Sequence, residues 1–70
     1  RELAGTLEAL RSGALPLASA RLPGRPGIAI EVVVESAELP GLWAVRIEAH
    51  YRIRDQILRR ELHSLIWRPL

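Results

Sequence analysis

The sequence predicts an α+β domain, one N-terminal helix packed on a three-stranded antiparallel β-meander, and three stretches carry that prediction. Leu3, Leu7 and Leu10 fall at i, i+4 and i+7 and make one apolar stripe on a helix. Ile28 to Ser36 alternates β-branched residues with Ala and Glu. Leu42 to Arg54 alternates Trp43, Val45, Ile47, Ala49, Tyr51 and Ile53 with polar or small residues.

The helix is expected over Glu2 to Ser12. Glu2, Glu8 and Arg11 take its polar face, Gly13 suits the residue just past its end, and Arg11 suits the negative end of its dipole. No capping residue precedes the stripe, and about three turns are marginal alone. A longer helix whose first part lies upstream is therefore expected. Gly13 to Gly27 holds Pro16, Pro23, Pro26, Gly24 and Gly27 and reads as a loop, with Leu15, Leu17 and Leu22 available to pin it to a sheet.

The first strand, Ile28 to Ser36, turns Ile28, Ile30, Val32 and Val34 inward. Pro40-Gly41 marks the connection to the second strand. Inward residues are even-numbered on the first strand and odd-numbered on the second, so pairing Val34 with Trp43 keeps the faces in phase. That register sets Glu31 opposite Arg46, whereas a slip of two residues sets Glu31 against Glu48 at a cost in stability. Ile57 to Arg68 is ambiguous by period. Leu58, Leu62, Leu65 and Ile66 fit a helix stripe with Asp55 as N-cap, and a strand would turn Arg60 inward. A third strand is expected here because two strands and a short helix do not complete a sheet.

Composition narrows the function classes. The chain of 70 residues makes one domain, spanning 1–70, with a helix tail at 1–13, a loop at 14–27 and a sheet at 28–70. It holds no Cys, so disulfides and Cys-based metal sites are excluded. All ten basic residues are Arg, which together with the lack of Asn, Phe and Met reads as compositional bias of the source genome. A net charge of +2 with interleaved acids does not point to nucleic acid. Arg46, Arg52 and Arg54 share a face with Arg59 and Arg60 following, but Trp43 and Tyr51 lie in the inward phase, away from any base-stacking role.

No chemical constellation stands out. His50 and His63, near Glu48 and Glu61 on the polar face, are the sole candidates for a zinc set, and solvated charge pairs account for them as well. Thr6, Ser12, Ser19, Ser36 and Ser64 are each isolated from a His–acid set. The acids sit in polar phases, and so small a meander leaves little room for a substrate pocket of ~300 Å³. The chain is expected to be no enzyme, with no cofactor and no small-molecule substrate. Trp43 is expected to plug the core against Leu7 or Leu10, while Trp67 divides evenly between core and interface.

Three stretches, Ile28–Glu35, Leu39-Pro40-Gly41-Leu42 and Trp43–Arg52, together with the ending Arg60-Glu61-Leu62-His63-Ser64-Leu65, resemble the periplasmic head of minor pseudopilins of the type II secretion system. The I-type, GspI-like subunit is the nearest pattern, within the type IV pilin-like superfamily. About two-thirds of the chain takes part, and no invariant chemical motif defines the region. The resemblance implies a truncated pilin-like head, the soluble C-terminal part of a longer protein, that acts in protein export without catalysis. It implies a last segment in strand form, assembly with other minor pseudopilins through the N-terminal helix at the pseudopilus tip, and a domain in the periplasm. Anchoring in the bacterial inner membrane would come from a segment absent from this chain. Partner contacts would then fall on Leu3, Leu7, Leu10 and Trp67. Two other classes remain in view: a small homodimeric protein-interaction domain pairing exposed strand edges, and a basic nucleic-acid-binding domain.

Overall fold

The computed structural model describes residues 2–23 and 26–69. Arg1, Gly24, Arg25 and Leu70 lie outside the described residues, as does the side chain of Glu2, expected on the polar face of the helix. The elements run α1 (Glu2–Ser12), β1 (Ala20–Leu22), β2 (Ile28–Ser36), β3 (Leu42–Ile53) and β4 (Gln56–Trp67). The strands form one antiparallel sheet in the order β1-β2-β3-β4, and α1 packs across β3 and β4. The α+β class is as expected, but the sheet has four strands rather than three.

The additional strand is β1, in the stretch expected to be loop. It pairs Arg21 with Glu31 and Leu22 with Ile30. Pro23 follows it directly, which an edge strand tolerates because one side of its backbone needs no ladder partner. Ser19 fastens its start: the Val34 amide donates to Ser19 Oγ at 2.9 Å. Leu15, Leu17 and Leu22 do pack against the core, as their apolar character demands.

Helix α1 ends as the sequence requires. Gly13 takes φ +86°, a conformation that costs a side-chain-bearing residue ~1–2 kcal/mol. The Leu15 amide donates to Ala9 O at 3.0 Å. Two more last-turn carbonyls are met from across the fold, where Arg68 Nη2 donates to Leu10 O at 2.9 Å and to Arg11 O at 3.0 Å. Arg11 answers with a bond from Nη2 to Ser64 Oγ at 3.0 Å. Two arginines thus clamp the C-terminal end of α1 to the last strand and its tail.

Leu10, Ile30, Val32, Val45, Ile47 and Ile66 form the buried core between α1 and the sheet. Trp43 lies outside that cluster. It is half-buried at the margin, with its indole Nε1 donating to Arg68 O at 3.2 Å. An indole N–H needs such an acceptor, and the margin supplies one where the centre of an apolar core would not.

The β2–β3 register differs from expectation by two residues. Val34 pairs with Val45, Ser36 with Trp43, and Glu31 with Glu48. A slip of two leaves every side chain on its own face, so the alternating pattern cannot choose between the registers. The connection chooses. The Ala37 amide donates to Leu42 O at 2.9 Å and the Leu42 amide to Leu39 O at 3.0 Å, with Gly41 at φ +86°. This closed turn lets every residue of β2 find a partner on β3. Glu31 and Glu48 are tolerated side by side because each has its own cation, described below.

Residues Gln56–Trp67 form a strand, as the incomplete sheet demanded, and Asp55 sits in the turn rather than capping a helix. Arg54-Asp55 join β3 to β4, with Arg54 at φ +55° and Ile53 paired to Gln56. The two strands stay in unbroken register out to Leu42 opposite Trp67. The domain is elongated, 43 × 22 × 17 Å, and the hairpin tip runs beyond the helix. Ile53 and Leu58 there are about half exposed, and Arg60, on the inward face as expected, stays in solvent.

Candidate functional site

The sheet face opposite α1 carries the densest polar arrangement. A single row crosses all four strands: Arg21, Glu31, Glu48 and Glu61 stand directly opposite one another in turn. Period-two alternation brings each of these side chains to the outer face. Three carboxylates in adjacent positions repel. The row survives because cations flank it along the strands. Arg46 Nε lies 2.9 Å from Glu48 Oε2, and His50 Nε2 lies 3.3 Å from Glu48 Oε1. Arg59 Nη2 lies 3.5 Å and His63 Nε2 3.1 Å from Glu61. Arg21 Nε lies 3.7 Å from Glu31.

Glu48 is the centre of this pattern and is buried, only 7% exposed, where the alternation had placed it on a wet face. Neighbouring side chains on three strands cover it, a consequence of its middle position that a single strand's pattern does not reveal. Arg46 Nε is itself sealed from solvent and makes no aligned hydrogen bond, so its hold on Glu48 is by charge at short range. Glu61 is more open to solvent than Glu48. The His63 hydrogen bond holds its carboxyl below the usual glutamate range, with Arg59 adding to the effect and desolvation opposing it.

The proximity of His50 to Glu48 and of His63 to Glu61 is as read from the sequence. The two sets do not converge into one site. Among the described residues, no group of three or more His, Asp or Glu is arranged to hold a metal ion. Ser64 faces α1 and is engaged by Arg11, and Ser19 is bound to the backbone of Val34. Neither lies within a His–acid set.

Beside the charged row, Val33, Ala44 and Leu65 line an open depression of about 460 Å³, rimmed by Glu35, Arg46 and His63. That exceeds the room expected for so small a sheet. Small Ala44, standing between Glu35 and Leu65 on the neighbouring strands, lowers the centre of the face.

Apolar exposure concentrates on β4. Ile57, Leu58, Leu65 and Trp67 are 66%, 48%, 60% and 61% exposed. The residues expected at a partner interface divide. Leu10 is sealed in the core at 1% exposure, Leu3 and Leu7 are partly buried against it, and Trp67 stands in solvent beside Leu42. Among the described residues of the helix, Ala4, Gly5, Glu8, Arg11 and Ser12 are exposed. Sequence reasoning missed the free apolar edge of β4, because which strand ends a sheet is not written in that strand's own pattern.

Comparison of the chain with protein-family models, with curated proteins and with solved structures finds no match to any of them.

Proposed function

We propose that this chain is a non-catalytic assembly domain, a head that packs against partner proteins. The observation that carries the reading is β4: a sheet-edge strand of 12 residues that leaves four large apolar side chains in solvent. Ile57 and Leu58 stand at one end of the strand and Leu65 and Trp67 at the other, and apolar exposure along a strand whose backbone edge is also open marks an interaction surface. The charged outer face supports the same reading against nucleic acid. Arg21, Arg46 and Arg59 each sit against a carboxylate of the central row, which reduces the positive charge they offer a phosphate backbone.

The specific form of the proposal is the soluble domain of a minor pseudopilin acting in protein export, assembled at the pseudopilus tip with other minor pseudopilins. Its support is the resemblance of the Ile28–Glu35, Leu39–Leu42, Trp43–Arg52 and Arg60–Leu65 stretches, joined to an architecture of one N-terminal helix on an antiparallel meander. No helix among the described residues is long and apolar enough to cross a membrane. In this proposal the anchor, which holds the head on the periplasmic side of the inner membrane, belongs to a segment outside the chain.

Two measurements on the natural full-length protein test it. Alkaline phosphatase fused to its C-terminus is expected to be active, since that enzyme folds only outside the cytoplasm. Co-expression with the other minor pseudopilins of the same genome is expected to yield a heterocomplex that Ala4→Arg with Glu8→Arg, on the open helix surface, weakens. An inactive fusion and no heterocomplex would overturn the pseudopilin assignment.

A further inference from the structure

We propose that the free edge of β4 docks a second copy of this chain, antiparallel and centred on Leu62, so that two four-stranded sheets become one continuous sheet. The proposal rests on the assembly-domain reading and names its partner.

The two sheet edges differ. β1 is three residues long and ends at Pro23, a short and blunted edge. β4 has neither guard: it contains no proline, its pairing with β3 is unbroken from Gln56 to Trp67, and it ends the strand order. The hairpin sets the phase of its open hydrogen-bonding groups. Ile53 and Gln56 flank a two-residue turn and exchange both ladder bonds, so even-numbered residues of β4 bond toward β3. The odd-numbered residues therefore point their amides and carbonyls at the open edge.

A two-fold antiparallel partner must set odd residues opposite odd ones, and the side chains then select the register. Centring on Arg60 sets that arginine against its own copy, and centring on Glu61 does the same for a carboxylate. Centring on His63 sets Glu61 against Leu65 and Arg60 against Ile66. Centring on Leu62 makes no like-charge pair. It sets Glu61 opposite His63 twice, Leu62 opposite itself, Leu58 opposite Ile66 and Ile57 opposite Trp67. Its one charged–apolar pair, Arg59 opposite Leu65, compares with Glu61–Leu65 and Arg60–Ile66 in the His63 register. The Leu58–Ile66 and Ile57–Trp67 pairs cover Ile57, Leu58 and Trp67, which are 66%, 48% and 61% exposed in the single chain. Both helices fall on the same side of the joined sheet. A single edge buries less than the ~1,600 Å² of a standard interface, so the dimer is weak and forms where copies are concentrated or tethered.

The absence of cysteine makes the register directly readable. At Leu62 the two-fold pair is of the type that lacks ladder bonds, with Cα atoms ~4.5 Å apart, within disulfide reach. Residues 60 and 64 are each ~13 Å from their own copies, four residues of strand offset, and cannot bridge. Under mild oxidation, Leu62→Cys is expected to form a covalent dimer at least ~10-fold faster than Arg60→Cys or Ser64→Cys, by the distance limit for bridging. Sedimentation of the unmodified chain from ~10 μM to ~1 mM is expected to show mass rising toward the dimer, as mass action requires. Leu62→Lys, which sets two ammonium groups at the two-fold axis, is expected to remain monomeric with an unchanged far-ultraviolet dichroism spectrum.

Mass that stays monomeric at ~1 mM overturns the proposal, as does cross-linking fastest at 60 or equal at all three positions. If the purified chain stays monomeric yet the heterocomplex still forms, the second copy is refuted and the assembly reading stands. Self-association without any heterocomplex reverses that outcome.

Discussion

Replacing Arg68 with alanine tests the tie between helix and sheet. The guanidinium donates to Leu10 O at 2.9 Å and Arg11 O at 3.0 Å, two carbonyls of the last helical turn that lack partners within the helix. Its backbone is separately engaged, with the amide on Gly41 O at 2.6 Å and the carbonyl receiving the Trp43 indole, and alanine keeps both bonds. The substitution therefore isolates the side chain. A hydrogen bond to a charged group contributes ~1.5–3 kcal/mol when sheltered. The Leu10 bond is partly buried and the Arg11 bond is exposed, so water replaces much of the second. With ~0.3–1 kcal/mol from charge at the dipole's negative end, the expected loss is ~2 kcal/mol. A domain of this size has ~4–10 kcal/mol in total, so the loss is a substantial fraction. Thermal denaturation followed by circular dichroism should show a Tm lowered by ~8–16 °C. Arg68→Lys, which keeps the charge but loses the planar fork, should fall between. Arg59→Ala, on the exposed outer face, should stay within ~0.5 kcal/mol of the natural chain. A melting point for Arg68→Ala within about 2 °C of the natural chain would refute the clamp.

Three further outcomes are expected. Gly5→Ala should raise stability by ~0.5–1 kcal/mol in urea titration, because Gly5 is exposed within α1 and an added Cβ meets nothing within 4 Å. Gly41→Ala should lower stability by ~2–3 kcal/mol, since Gly41 holds φ +86° and its added Cβ would lie 2.9 Å from Pro69 Cα. The Glu61 carboxyl, followed by carbon-13 NMR, should titrate below the usual glutamate range and move back up in His63→Ala. Because its folded pKa is depressed, any stabilisation it gives is present above the unfolded value and is lost as pH falls through the folded one. A Glu61 titration unmoved by His63→Ala would remove the hydrogen bond as its cause.

The face assignments on β2 and β3 were readable because each strand alternates without a break, and solvent contrast acts residue by residue. Hence Ile47 and Val32 are buried where the pattern places them, and His50 and His63 reach the acids two positions away on their own strands. The β4 segment shows the opposite case. Its local period favoured a helix, yet its backbone groups are taken up by β3, a partner that lies outside the segment. β1 carries only three paired residues between prolines, too few for alternation to show.

By itself the sequence determined which side chains avoid water and where the chain must bend: Gly13 ends the helix, Gly41 closes the turn before β3, and the leucine stripe faces inward. These are local consequences of backbone freedom and side-chain polarity, and they need no distant partner. Only the tertiary structure decided the β2–β3 register, the burial of Glu48, the capping of α1 by Arg68 from 57 residues away, and the open edge of β4. Each of those depends on which strands become neighbours, and that depends on the closure of the whole sheet.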